Sequence, residues 1–170
     1  MGKRTETLAT QLDKAVAEFA SAIEGCTDAQ WSAICNAEGW TVAQLAQHVA
    51  GQFPLEMTFI TAAAEGKPMP SLTLDQLNEK NDGRADRNRS VTKAAVLQEL
   101  RTNATSVAAY IRALADEQLD RTGPLSLADG AQLTTEQYIL GPVLIAHVTE
   151  HLESIRDAVT PRGVQSGARG

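Results

Sequence analysis

The sequence predicts an all-α fold, a four-helix bundle with a long connection between its second and third long helices. Three observations carry that prediction. Ala, Leu, Gln and Glu are abundant while aromatic residues make up only 4% of the 170 positions, a balance that favours helices, because β-rich domains draw on Val, Ile, Thr and aromatics. Apolar residues recur at steps of three and four in four separate stretches, which places them on one face of a 3.6-residue helix. No stretch shows a strand signal. With 43% hydrophobic residues, a single domain over residues 1–160 can bury its own core.

The first helix is expected over 5–24, where Leu8, Leu12, Val16, Phe19 and Ile23 form the stripe and Gly25 ends it. Residues 27–37 form a short turn or helix that carries Trp31 into the core. The second long helix opens on Thr41 as cap, with Gln44 completing a capping box and Trp40 stapling onto Leu45. It runs from Val42 to about Glu65 and stops at GKPMP, since Gly66, Pro68 and Pro70 cannot continue it. The segment 71–91 is mixed: LTLDQLNEKN suits a short helix and DGRADRNRS a polar loop. Its Lys80, Arg84, Arg87, Arg89 and nearby Lys93 interleave with Asp75, Glu79, Asp82 and Asp86, so a solvated, salt-bridged face is expected rather than an anion site.

A third long helix, about 92–117, carries Val96, Leu100, Ala104, Val107, Ile111 and Leu114 in bundle-packing steps. The last begins near Thr134, where Thr134 and Gln137 make another capping box. Gly141 and Pro142 impose a kink or a restart, because proline lacks the donor and crowds the preceding turn. From Pro142 the helix runs to about Val159, with Leu140, Leu144, His147, His151, Ser154, Ile155 and Ala158 on one face, and residues 161–170 form a flexible tail.

Several function classes are disfavoured by composition. A net charge of −6 and a pI near 5.0 lack the basic footprint that neutralising phosphates requires, so nucleic acid is not an expected partner. Neither an apolar signal core after MGKRTETLATQLDKA nor a run of ~20 apolar residues is present, which disfavours export and membrane insertion. Glu6 stands where a myristoylation signal needs Ser or Thr. Cys26 and Cys35, without CxxC spacing, read as two reduced thiols of a cytoplasmic protein.

All three histidines of the chain fall on inward faces. His48 shares the second helix's stripe with Val42, Leu45, Gln52, Leu55 and Phe59. A buried neutral imidazole must place one donor and one acceptor, and leaving either unmet costs roughly 1 to 3 kcal/mol. HVTEH stacks His147 and His151 at i and i+4, about 5 to 6 Å apart at Cβ, the spacing two metal ligands need. His48 can be the third ligand if the second and fourth helices run in the same direction, as in a simple up-and-down bundle. The same stretch fits the HxxEH protease pattern with Glu150 as base. That reading is set aside, since Glu150 lies off the stripe facing His48 and only nineteen residues follow His151; Glu150 is expected at the surface or behind the ligands. LAQHVAGQ at 45–52 echoes LIAHVTEH at 144–151, and the plain account is two core helices sharing a pattern. Gln52, one turn beyond His48, is expected to face the pocket and hold substrate or a metal-bound water.

GWTVAQLAQHVAG, NEKNDGRADRNRS, the helix opening TKAAVLQEL and the terminal AHVTEHLESIRDA together resemble the DinB-like family of four-helix-bundle metal proteins, over about residues 8–159. The resemblance implies a metal triad of one histidine on the second helix and two on the last, which falls on His48, His147 and His151. It also implies kinship with thiol-dependent transferases and isomerases that use mycothiol or bacillithiol. Some members follow the HxxxH with a further histidine or a Gly-Gln pair, where this chain has LESIRDA. The expectation is a divalent metal, zinc or nickel, with an open position, a small-molecule substrate and a low-molecular-weight thiol as cosubstrate. Metal-dependent hydrolysis and a non-catalytic metal-containing binding or stress-response protein are the alternatives. Bundles often pair through a helix face, so a homodimer is open, though no stripe is surplus to the core.

Overall fold

The computed structural model describes residues 2–160; the tail expected over 161–170 lies outside them. The stripe Leu8, Leu12, Val16, Phe19 and Ile23 is buried along α1 (Lys3–Glu24), which ends at Gly25. One turn, α2 (Asp28–Trp31), follows, and Trp31 stays half-buried against the core edge, its Nε1 donating to the Val91 carbonyl at 3.2 Å. Strands β1 (Ile34–Cys35) and β2 (Trp40–Thr41) then pair antiparallel, Cys35 opposite Trp40. Gly39 turns this hairpin at φ 74°, a conformation glycine adopts without a side-chain penalty.

The Thr41–Gln44 capping box forms as expected and opens α3 (Val42–Glu65), which Gly66 closes at φ 65°. Pro54 lies inside α3 and cannot donate to the Ala50 carbonyl one turn back. Asn103 Nδ2 donates to that carbonyl instead, at 2.8 Å, so the buried acceptor is met from a neighbouring helix.

The short helix expected over 72–81 forms and runs on through most of the stretch expected as a polar loop: α4 spans Leu74–Arg87 behind a Thr73–Gln76 capping box. Its inward face is thin, with Ala85 its one buried residue. Three polar ties hold it to α3, Gln44 Nε2 to the Ala85 carbonyl at 3.0 Å and Arg84 Nη1 to the Gly51 carbonyl and to Gln52 Oε1, each at 3.2 Å. Hydrophobic periodicity does not register such attachments. In α5 (Lys93–Ala113) and just beyond it, every stripe residue from Val96 to Leu114 is buried. It stops short of residue 117 because Leu114 turns to extended backbone, and α6 (Asp116–Leu119) is a separate turn.

Strands β3 (Thr122–Leu125) and β4 (Ala131–Thr134) overturn the expectation of no strands. They pair antiparallel, Thr122 opposite Thr134 and Leu125 opposite Ala131, through a 3-10 turn at Ser126–Ala128 and an Asp129-Gly130 corner at φ 52° and 76°. Asp-Gly is a hairpin signal, but four-residue strands, one containing Pro124, leave little alternation to read. Tyr138 OH donates to the Gly123 carbonyl at 3.0 Å and ties the hairpin down.

The fourth long helix is broken into α7 (Thr135–Leu140) and α8 (Ile145–Val159). It restarts at Ile145 rather than Pro142, after an irregular Gly141–Leu144 corner. Leu140 is 41% exposed and so leaves the inner face expected for it, while Val148, Leu152 and Ile155 are buried.

α1 packs against α5 and α8, and α3 packs against the same two helices. α1 and α3 therefore occupy one diagonal and α5 and α8 the other. Side-chain pairs give the directions. Arg112 to Glu6 and Arg101 to Glu24 make α1 and α5 antiparallel, and Arg4 to Glu136 on α7 with Arg156 on α8 to Glu18 make α1 parallel to the broken fourth helix. Gln47 to Glu99 and Asn103 to Ala50 make α3 and α5 parallel. Parallel neighbours need a crossover along the bundle, and the 66–92 segment with α4 supplies it. The second and fourth long helices thus do not run in the same direction; α3 and α8 are antiparallel neighbours. Among the described residues no helix is long and apolar enough to cross a membrane.

Candidate metal centre

His48 is the seventh residue of α3, while His147 and His151 are the third and seventh of α8. Antiparallel contact brings all three to one level of the core. One ligating nitrogen from each lies within 4.8 Å of the others. Ring centroids are 5.0 Å apart for His48 and His147, 5.2 Å for His48 and His151, and 4.6 Å for the α8 pair. Nε2 of His48 and Nε2 of His147 face each other at 3.0 Å.

Two carboxylates stand behind the rings. Glu56 Oε1 is 2.6 Å from His147 Nδ1, and Glu38 Oε1 is 3.0 Å from His151 Nδ1 and accepts from Ser154 Oγ at 2.8 Å. A ligand imidazole characteristically gives its second nitrogen to such an acceptor, which sets its tautomer and orientation. With Nδ1–H toward the carboxylates, the Nε2 lone pairs are left for the centre. A cation there suits the donor set better than the rings suit one another, since opposed Nε2 atoms can share only one hydrogen bond.

Electrostatics point the same way. Burial, helped by the other two imidazoles and Arg84, lowers the His48 pKa to about 2. Burial and His147 bring His151 to about 4 against the upward pull of Glu38. Both are therefore neutral near pH 7, the form that binds metal. Burial raises the Glu56 carboxyl, and the contact with His147 works against that rise.

Gln52 is buried, lines the smaller of two cavities that reach the histidines, and accepts from Arg84 Nη1 through Oε1 at 3.2 Å. Arg84 is the departure from the solvated face predicted for its segment. Glu150 is exposed on α8, so it is not a base at the histidines. Glu38 and Glu56 are the residues that the sequence reading missed. Glu56 carried a signal, standing four residues after Gln52 and eight after His48. Glu38 carried none, because the β1–β2 hairpin alone places it.

Two cavities open onto the histidines. One, of about 240 Å³, reaches His48 and His147 and is walled by Leu55, Phe59, Leu77, Leu125, Leu127 and Val143. The other, of about 410 Å³, reaches all three histidines past Glu38, Trp40, Asn78, Asn81 and Asp82. The crossover helix α4 supplies Leu77 of the apolar wall, and the β3–β4 hairpin, which the helical periodicity did not reveal, supplies Leu125 and Leu127.

Residues 12–138 match the family described as the mycothiol maleylpyruvate isomerase N-terminal domain. The chain belongs to this family. The matched span of this mycothiol maleylpyruvate isomerase N-terminal domain contains His48, Gln52 and Glu56 and ends before His147. Solved structures share the fold at low identity. YfiT from Bacillus subtilis, described as a probable metal-dependent hydrolase with an unusual four-helix bundle topology, is 19% identical at a TM-score of 0.72, covering 93% of this chain and 87% of that one. The mycothiol-dependent maleylpyruvate isomerase is 13% identical at a TM-score of 0.68, covering 95% of this chain and 65% of that one. ClbS, a colibactin self-resistance protein solved with double-stranded DNA, is 14% identical at a TM-score of 0.69, covering 93% and 96%. No curated protein sequence matches the chain. The DinB-like kinship and the bundle expected from the sequence both stand.

Proposed function

We propose that the chain holds one divalent ion, zinc or nickel, on His48, His147 and His151, and acts in the cytoplasm as an S-transferase or isomerase that joins a low-molecular-weight thiol to a small molecule. The observation that carries the reading is the carboxylate behind each α8 imidazole, together with the third imidazole and an open cavity beside the rings. When bound, the ion supplies Lewis acidity and an open position at which a thiol or water ionises near neutral pH. Glu56 and Glu38 hold the rings in register, and Gln52, steadied by Arg84, presents its amide to the substrate. The family's printed activity, which is thiol-dependent, supports the choice of reaction. Cytoplasmic location is supported by the free, buried thiols of Cys26 and Cys35.

Metal-dependent hydrolysis is the second reading, favoured by the likeness to YfiT. It ranks lower because the family's description names a thiol and the two acids set against the rings, Glu38 and Glu56, face imidazoles rather than water. The test uses protein purified without chelator or nickel resin. Stoichiometric metal by elemental analysis, lost in His48→Ala, is expected. Metal-loaded protein is then assayed with mycothiol, bacillithiol or glutathione and an electrophile, beside His147→Ala. Thiol-dependent turnover abolished in the variant supports the proposal, whereas turnover without thiol selects hydrolysis. Absence of stoichiometric metal, or its retention in His48→Ala, rejects the centre.

A further inference from the structure

The two cavities differ in chemistry, and the difference bears on which molecule receives the thiol. The smaller one is walled by leucines, Phe59 and Val143, and among the described residues none of its lining side chains is Lys or Arg. Its one carboxylate, Glu56, is buried and faces His147. Arg84, the nearest cation of α4 to Gln52, directs Nη1 to the Gln52 side chain and the Gly51 carbonyl rather than into the space. Away from the histidines, an anionic group placed against this wall would surrender its hydration without a side-chain cation in return, a heavily unfavourable transfer. A dicarboxylate such as maleylpyruvate, the substrate in the family's printed description, does not suit this wall.

We infer that the apolar cavity takes the acceptor substrate, and that this acceptor is a small, neutral, largely apolar electrophile. Its volume of about 240 Å³ lies just below the ~300–1,000 Å³ of ordinary ligand pockets. The hydrophilic thiol then enters from the polar cavity beside Asn78 and Asp82. His48 and His147 are common to both cavities, so the two reactants meet at the histidines. With an epoxide as acceptor, the C–S bond forms as a ring C–O bond breaks, and the thiol proton ends on the ring oxygen. No further reactant is needed. The inference rests on the proposed function for its chemistry but not for its binding site.

The binding site is tested without turnover. Fluorobenzene serves as an unreactive apolar probe, followed by its fluorine NMR signal, with maleate as the anionic competitor. Saturable uptake is expected, weakened at least tenfold in Leu127→Asp, unchanged by a tenfold excess of maleate, and retained in His151→Ala, whose side chain lines only the polar cavity. Leu127 is half-exposed on the 3-10 turn, so its substitution should leave circular dichroism unchanged; if it does not, Leu77→Asp on α4 replaces it. Displacement by maleate at up to a tenfold excess, or uptake indifferent to Leu127→Asp, overturns the inference. Wild-type protein that binds fluorobenzene yet holds no metal rejects the metal centre and keeps this inference. Metal-loaded protein that turns over anionic acceptors and excludes fluorobenzene does the reverse.

Discussion

Glu56 shows how much a single residue adds to a histidine cluster. It is 4% exposed, and a carboxylate so placed is tolerable only with a partner to share its charge or proton. His147 Nδ1 at 2.6 Å is that partner. Substituting Glu56→Gln keeps the volume but removes the negative charge set against His147 Nδ1, so the preference for a proton on that nitrogen weakens. Metal affinity is expected to fall about 10–100-fold, measured by competition with a chromophoric chelator, while circular dichroism stays as in wild type. Unchanged affinity would mean that Glu56 is only a packing residue. The histidines themselves were legible because all three recur at core positions of helical stripes. The carboxylates were not, since an acid on a stripe reads as an interruption until the structure shows what it faces.

At the scale of elements, α3 survives an internal proline because α5 answers it. The Ala50 carbonyl loses its helical donor at Pro54 and gains Asn103 Nδ2 at 2.8 Å. Asn103→Ala should therefore destabilise the fold by about 1–3 kcal/mol, the cost of an unmet buried acceptor. In a Pro54→Ala background, where residue 54 regains its N–H, the same change should cost measurably less. Urea unfolding of the four proteins in this cycle checks the coupling, and additive effects would show that Asn103 acts elsewhere. Long stripes and capping boxes made α1, α3 and α5 readable. The second half of α4 and the β3–β4 hairpin were not, because polar ties and four-residue strands hold them rather than periodic apolar burial.

For the whole molecule, a core drawn from all four long helices should stand without a metal ion. Chelation is expected to leave most of the helical circular dichroism intact, in contrast to a domain whose folding energy comes from its metal. The metal-free protein should nonetheless be acid-sensitive. His48 and His151 have folded pKa values of about 2 and about 4 against 6.5 unfolded. Below pH 6.5 the unfolded chain binds protons that the folded chain refuses, so stability falls with pH by up to ~1.4 kcal/mol per unit per histidine. Glu56 opposes this, since its raised pKa lets the folded state take a proton more readily on acidification. The two histidines outnumber it, and urea midpoints should drop between pH 6.5 and 4. Midpoints that rise over this range would contradict the burial of neutral imidazoles.

What the sequence determined by itself is the class of fold, the placement of the long helices and the inward position of His48, His147 and His151. Those follow from local rules, periodicity and capping, that act within a few residues of one another. Only the tertiary structure decided that α3 and α8 are antiparallel neighbours, that Glu38 arrives on a hairpin, and that α4 and β3–β4 close an apolar wall over the histidines. These depend on pairings between residues distant in the chain. One stripe buries equally well against either neighbour and in either direction, so its periodicity carries no information about the choice.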